Sequence, residues 1–357
     1  MSYHTIFPTA QKPTYSPTNI VDFKLTFENK KLKANSTRVS GKVKLELTAG
    51  NPFAANIAWD ALNGAHNLFS EWTTTFESTG IQENLTDYPR HHKMKMEAQN
   101  CQENFNTSSH ACALQTPSNS GVLNVFTGMA AADFEIPFSF KPDICINNMS
   151  GDLSFNKKSQ SVTLQTRLSS LAEVLFGATA AVTNVITITE LQVNYETVPE
   201  DNKDEPLTML VLHSVKQVIN TGSANINTKV PAVVVGMSAS FQLVTHDKVY
   251  THNNYATEDP NVTRVQLFWN DMNNNYISFP LESREEILLN YLQSLNSTGH
   301  NDMRWAKAKS DEGFGCGVKF PEPVDLRNQT MGLQIESAIT NAAPYYIYIY
   351  FQSIVGV

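Results

Sequence analysis

His91, His92, Cys101, His110 and Cys112 fall close together and carry the side chains of zinc ligands. Closed zinc sites use paired knuckles such as Cys-x2-Cys, with a second pair downstream. The spacing Cys-x8-His-x-Cys between residues 101 and 112 is not such a knuckle, and no Cys-x2-Cys occurs. These residues read as polar loop positions and small buried thiols. The run Gly313-Phe-Gly-Cys-Gly317 has the glycines of a phosphate loop but lacks the Lys-Ser/Thr that would follow, so turn or bulge glycines explain it better. Glu282, Glu285 and Glu286 beside Arg284 could serve acid–base chemistry. A helix start attracts the same acids, because its free N–H groups favour negative charge. Neither a Gly-x-Ser-x-Gly elbow nor a His-Glu-x-x-His pair is present. The expectation is a non-enzyme with no catalytic, cofactor-binding or metal residues and no cofactor.

The elements around these residues are strands. The chain has 357 residues, 41% of them hydrophobic and 17% charged, enough for two domains with separate cores. Abundant Asn, Ser and Thr without long helix-forming runs favour strands joined by polar loops. A net charge of −8 argues against sequence-specific nucleic-acid binding. The first fifty residues run the other way, with Lys12, Lys24, Lys30, Lys31, Lys33, Arg38, Lys42 and Lys44 against Asp22, Glu28 and Glu46. A solvated strand face is the plain reading of that bias. Four cysteines do not make a disulfide framework, and the opening MSYHTIFPTA has no signal-peptide pattern. Synthesis in a reducing cytoplasm is expected, and the seven Asn-x-Ser/Thr sites reflect composition.

Residues 1–20, with Pro8, Pro13 and Pro17, read as an extended N-terminal arm. Alternation then marks strands at Phe23–Phe27, Val43–Leu47, Leu68–Phe76, Val122–Phe126, Phe134–Phe140 and Val162–Leu168. Between them, residues 80–121 read as long surface loops holding the basic knot Arg90-His91-His92-Lys93, with one or two strands or a short helix. A small-residue bridge, Ala178–Asn184, follows, and alternation resumes at Ile186 and Ile188. The domains are therefore expected at 21–180 and 181–357. In the second, Leu207–Val218 leans to strand, Val230–Val244 predicts a buried strand with Gly236 as a bulge, and Val265–Trp269 predicts another. Ser283 and Glu286 form a capping box ahead of the stripe Ile287, Leu288, Tyr291, Leu292 and Leu295, the clearest helix signal. Gly313–Phe320 and Met331–Ile335 are strands, and Tyr345–Phe351 is too apolar for an exposed edge, so it belongs mid-sheet or at an interface.

The fold class this predicts is all-β, two consecutive jelly-roll β-sandwiches with a few short flanking helices. Three stretches carry a family resemblance. FEIPFSFKPDICINNMSGDLSFNKKSQSVTLQTRLSSLAEVLFG (134–177) resembles the end of the first jelly roll in the double jelly-roll major capsid proteins. That family is shared by adenovirus, tailless membrane-containing phages, virophages and Polinton-like viruses. HNLFSEWTTTFESTGIQENLTDYP (66–89) is similar to its mid-domain strand pair, and ITITELQVNYETVP (186–199) to the opening strand of its second jelly roll. The likeness is one of layout over residues 20–357.

The resemblance implies a viral structural protein that forms homotrimers of near-hexagonal outline, which tile an icosahedral shell with neighbouring capsomers. It also implies contacts with penton and other minor capsid proteins, an internal membrane beneath the inner face, and residence in the virion. Two other readings compete. A β-sandwich binding module, such as a penton, spike or lectin, would use exposed aromatic clusters, whereas the aromatics here lie within alternating strands. A cupin-type enzyme would need histidines and carboxylates gathered on strands, whereas most histidines here lie in loop-like tracts.

Overall fold

A computed structural model describes residues 1–26, 29–47, 58–77, 79–99, 108–115, 135–154, 161–177, 184–201, 206–230, 232–269, 280–295, 313–327 and 329–356. The strands of the first part are β1 (Ser2–Ile6), β2 (Ile20–Leu25), β3 (Lys30–Leu32), β4 (Arg38–Leu47), β5 (Ala58–Trp59), β6 (Phe69–Phe76) and β7 (Ile81–Leu85). After helices α1 (Tyr88–Gln99) and α2 (Ser108–Cys112) come β8 (Glu135–Phe140), β9 (Leu153–Ser154), β10 (Val162–Leu168), α3 (Leu171–Val174), β11 (Leu175–Phe176) and β12 (Asn184–Pro199). The second part holds β13 (Thr208–Ile219), β14 (Ser223–Lys229), β15 (Val233–Leu243), β16 (Arg264–Trp269), helix α4 (Arg284–Ser294), β17 (Gly315–Asp325), β18 (Thr330–Glu336) and β19 (Tyr345–Gly356).

These strands build two jelly rolls: the chain crosses repeatedly between facing sheets in the first, and β13 to β19 alternate strictly between facing sheets in the second. In the first, β12 joins β1, β4 and β3 in a six-stranded sheet whose path runs β8-β4-β12-β3-β9. It packs against β7-β6-β10-β2. Period-two alternation drives the packing: Phe23, Phe69, Trp72, Phe76 and Leu164 from one sheet meet Val39, Val43, Phe138, Phe140 and Ile188 from the other. In the second, β17-β15-β19-β13 lies over the three-stranded sheet β14-β18-β16. Met237, Phe241, Ile347 and Phe351 there meet Ile226, Leu267, Leu333 and Ile335.

One sheet serves both sandwiches. β7 and β13 run parallel, His213 opposite Asn84, which joins two four-stranded halves into an eight-stranded sheet, β17-β15-β19-β13-β7-β6-β10-β2. Beside that join, Ser214 Oγ accepts from Thr86 N at 2.8 Å.

The strand expected to open the second domain belongs to the first. Residues 184–194 pair antiparallel with β4, so the passage between sandwiches falls between Pro199 and Thr208, not at residue 180. Sequence alternation specifies a strand but not its sheet, and the pairing is decided by Ile186, Ile188, Val193 and Tyr195 entering the first core. The expected arm is also built in. Ser2–Ile6 pairs with β12, and Tyr15 is buried with reciprocal backbone bonds to Ile188 at 2.8 and 2.9 Å. Residues 80–121 hold, beside β7, a twelve-residue helix α1 whose basic knot is buried instead of lying in a surface loop.

Other expectations hold. β13 is a strand, the β15 register shifts between Val234 and Gly236, and β19 lies between β13 and β15. Ser283 caps α4 by accepting from Glu286 N at 3.1 Å, and Ile287, Leu288, Tyr291 and Leu295 are buried. Val122–Phe126, the 178–183 bridge, Cys101, Asn106, Asn328 and the expected helix stop at Asn296–Gly299 lie outside the described residues.

Candidate functional site

The largest gathering of buried polar side chains among the described residues lies where the two sandwiches meet, around α1. The helix starts sharply. Asp87 adopts a left-handed φ of 50°, its carbonyl accepts from Arg90 N, and Pro89 occupies the first turn, where its missing N–H costs nothing. Tyr350 Oη, from β19 of the second sandwich, donates to the Asp87 carbonyl at 3.0 Å and fixes that turn.

Arg90, 0% exposed, points from α1 into the second sandwich. Its guanidinium donates to Ala256 O at 3.0 Å, to Gln242 Oε1 at 2.6 Å and to Asn254 O. The Tyr348 ring lies beneath it, 4.0 Å from Cζ to the centroid. A planar fork with fixed donors suits three converging acceptors, which a lysine could not match. One turn on, Lys93 pairs with buried Asp60 at 2.5 Å, and Asn253 Nδ2 donates to the same Asp60 oxygen at 2.6 Å. Burial pushes the Asp60 carboxyl up, but the Lys93 ammonium and the donated N–H groups outweigh it and hold the carboxyl below its ordinary value.

The histidines of the knot are neutral. His92 stacks on His66 with centroids 3.7 Å apart, and its Nε2 accepts from Gln115 Nε2 at 3.0 Å, which leaves the remaining ring proton on Nδ1. Burial drives His91 down to about 4 and His92 to about 3, and places His66 well below its usual value. Burial would raise Asp143, but Lys95 at 2.7 Å, joined by the imidazoles when they are protonated, holds it far below the carboxylate range.

Glu83 is the opposite case. It is fully buried, with Oε1 accepting from Leu212 N at 3.0 Å and Oε2 from Cys145 N at 2.8 Å. One carboxyl thus links β7, the 141–152 loop and β13 of the second sandwich. Burial pushes it up to about 7, against the pull of those backbone donors.

His91 and His92 come together with Lys93 and Arg90 as expected neighbours, but inside a helix. His110 Nδ1 meets Gln115 Oε1 at 2.6 Å, and the same Gln115 bonds His92. Cys112 is exposed, while Cys145 and Cys316 are buried thiols. Among the described residues no three His, Cys, Asp or Glu side chains are arranged to hold a metal ion. Glu285 and Glu286 occupy the first turn of α4, and Arg284 beside them pairs with Asp259. Gly315 and Gly317 lie directly under α4, where a Cβ would collide with Tyr291 and Ser294, so close packing explains them and not phosphate binding. Four of the eight cations in the first fifty residues pair with acids of the same chain: Lys24–Glu77, Lys31–Asp201, Lys33–Glu196 and Lys42–Glu190. Sequence reasoning missed Asp60, Glu83 and Asn253. The signal for Asp60 was an acid inside the apolar run Trp59-Asp60-Ala61-Leu62. Chemically, the gathering is a fastener: its polar groups are spent on one another across the seam.

No family model matches the chain, and no curated protein matches it in sequence. Solved structures match its fold over nearly its whole length. A chain from the structure of the Sputnik virophage aligns with a TM-score of 0.62 at 10% identity, covering 99% of this chain and 85% of that one. A chain of the PBCV-1 virus capsid aligns at 0.59 and 10%, covering 99% and 94%. The mavirus major capsid protein aligns at 0.53 and 7%, covering 99% and 90%. The chain therefore has the double jelly-roll fold.

Proposed function

We propose that this chain is a viral major capsid protein, a structural unit that assembles with copies of itself into the shell of a virion. The likeness to capsid chains along 99% of its length, over two jelly rolls and not one, carries the reading. The physical demands of a shell tile agree with it. The two sandwiches share one sheet and a buried polar seam, so each chain is a stiff two-part block. Three such blocks give six sandwiches and a near-hexagonal outline, which packs a curved facet without needing six identical chains.

Its partners are, first, two further copies, then neighbouring capsomers, with penton and other minor capsid proteins at the vertices and a membrane beneath the inner face. Synthesis takes place in the host cytoplasm. The role is non-enzymatic. Pairing of Lys31, Lys33 and Lys42 with acids of the same chain speaks against direct genome packaging.

Light scattering on the size-exclusion peak tests this, with negative-stain microscopy on concentrated material. A trimer, and hexagonal capsomers or shells on the grid, are expected. A stable monomer that stays monomeric at high concentration refutes the assignment.

A further inference from the structure

Lys93, Asp60 and Asn253 meet in the seam in a way that a plain ion pair does not require. Asp60 is 1% exposed, and its Oδ2 accepts from both Lys93 Nζ at 2.5 Å and Asn253 Nδ2 at 2.6 Å. Its Oδ1 is pinned by the backbone N–H groups of Leu62 and Asn63 at 3.0 and 3.1 Å. The Asn253 carboxamide is held from its other end as well, because Tyr255 N donates to Asn253 Oδ1 at 3.1 Å. A single carboxylate oxygen therefore brings an amine and an amide to one point, while a backbone donor polarises the amide carbonyl. Amine, proton relay, acyl carbon and oxyanion donor are the four parts of an acyl transfer.

We propose that Lys93 and Asn253 condense into an intramolecular isopeptide bond, with Asp60 relaying the protons. The bond ties α1 of the first sandwich to the loop after β15 in the second. The step begins when the Lys93 ammonium passes a proton to Asp60 along their hydrogen bond. Asp60 is ionised at rest, held so by Lys93 and its N–H donors, and the transfer supplies the minor neutral pair from which attack proceeds. The Nζ lone pair attacks Cγ of Asn253, and the carbonyl electrons move to Oδ1, facing the Tyr255 N–H. Asp60 then protonates Nδ2, the Oδ1 electrons re-form the carbonyl as the Cγ–Nδ2 bond breaks with its electrons on nitrogen, and ammonia leaves. The second Nζ proton returns through Asp60 to the ammonia, which departs as ammonium, and Asp60 is again a carboxylate. No oxidant or cofactor takes part, and each chain reacts once.

Intact mass spectrometry of the purified, folded chain after denaturation tests the bond. The expected mass is lower than the sequence mass by one ammonia, and peptide mapping should find a branched peptide joining Lys93 to Asn253. Asn253→Ala, in a part-buried loop, and Asp60→Ala should both retain the full mass. A wild-type chain at its full sequence mass overturns the proposal, and so does ammonia loss without the branched peptide, which marks a succinimide. Loss of water overturns it too, since that marks a direct Lys93–Asp60 amide. The readout is independent of assembly, so the capsid reading and this bond can fail separately.

Discussion

Arg90 and Glu83 are two charges handled in different ways at the same seam. Arg90 keeps its proton at any accessible pH, and the protein surrounds it with carbonyl oxygens and the Tyr348 ring. Glu83 titrates instead. Its pKa rises from 4.5 to about 7 on folding, so between those values the folded state holds a proton that the unfolded state has released. Its ionisation therefore costs stability as pH rises through that window, by roughly 3 kcal/mol for such a shift. The buried imidazoles act with the opposite sign. His91 and His92 fall to about 4 and about 3, so the unfolded chain takes up protons first and stability drops as pH falls below about 6.5. Glu83→Gln removes that loss and leaves the histidine trend in place. Chemical denaturation from pH 4.5 to 8 should show the variant gaining on wild type by roughly 3 kcal/mol across the range. Parallel curves would mean that Glu83 stays ionised throughout.

At the scale of elements, α4 and β17 are fitted backbone to side chain. A Cβ on Gly315 would stand 2.5 Å from the Tyr291 ring and 2.6 Å from Ala239 O, so α4 must lift to admit it. Gly315→Ala should cost about 1–3 kcal/mol in urea denaturation, the range for overpacking a tight core. Gly151→Ala, where the added carbon meets only Leu207 Cδ1 at 3.8 Å, should be close to neutral. Equal effects would contradict the packing argument. Helix α4 was legible in the sequence because its cap and apolar stripe are local. Helix α1 was not, because Tyr88-Pro-Arg-His-His-Lys-Met-Lys has no apolar stripe. Beside Tyr88, Met94 and Ala98 it buries Arg90, His91, His92 and Lys93, and partners up to 166 positions away satisfy such groups, as Ala256 does Arg90. β12 was legible as a strand but not as part of the first sandwich, since alternation encodes faces and not neighbours. The candidate site stayed hidden for the same reason: Asp60, Lys93 and Asn253 are ordinary residues until the fold brings them together.

The shared sheet and the bonded seam make the whole molecule one body. β13 is hydrogen-bonded to β19 along its full length and meets β7 on its other side, while Glu83 and Arg90 bind across the join. Calorimetry should give a single cooperative unfolding transition, and two well-separated peaks would show that the sandwiches melt independently. The position of β12 has a further consequence, for synthesis. It is the last strand of the first sandwich in chain order, yet it fills the space between β1 and β4. A ribosome that has extruded only as far as Phe176 has released most of that sandwich's core, but with a gap in one sheet and the backbone edges of β1 and β4 unpaired on either side of it. The nascent chain must stay in that state until residue 199 emerges, and a chaperone that covers strand edges would act there.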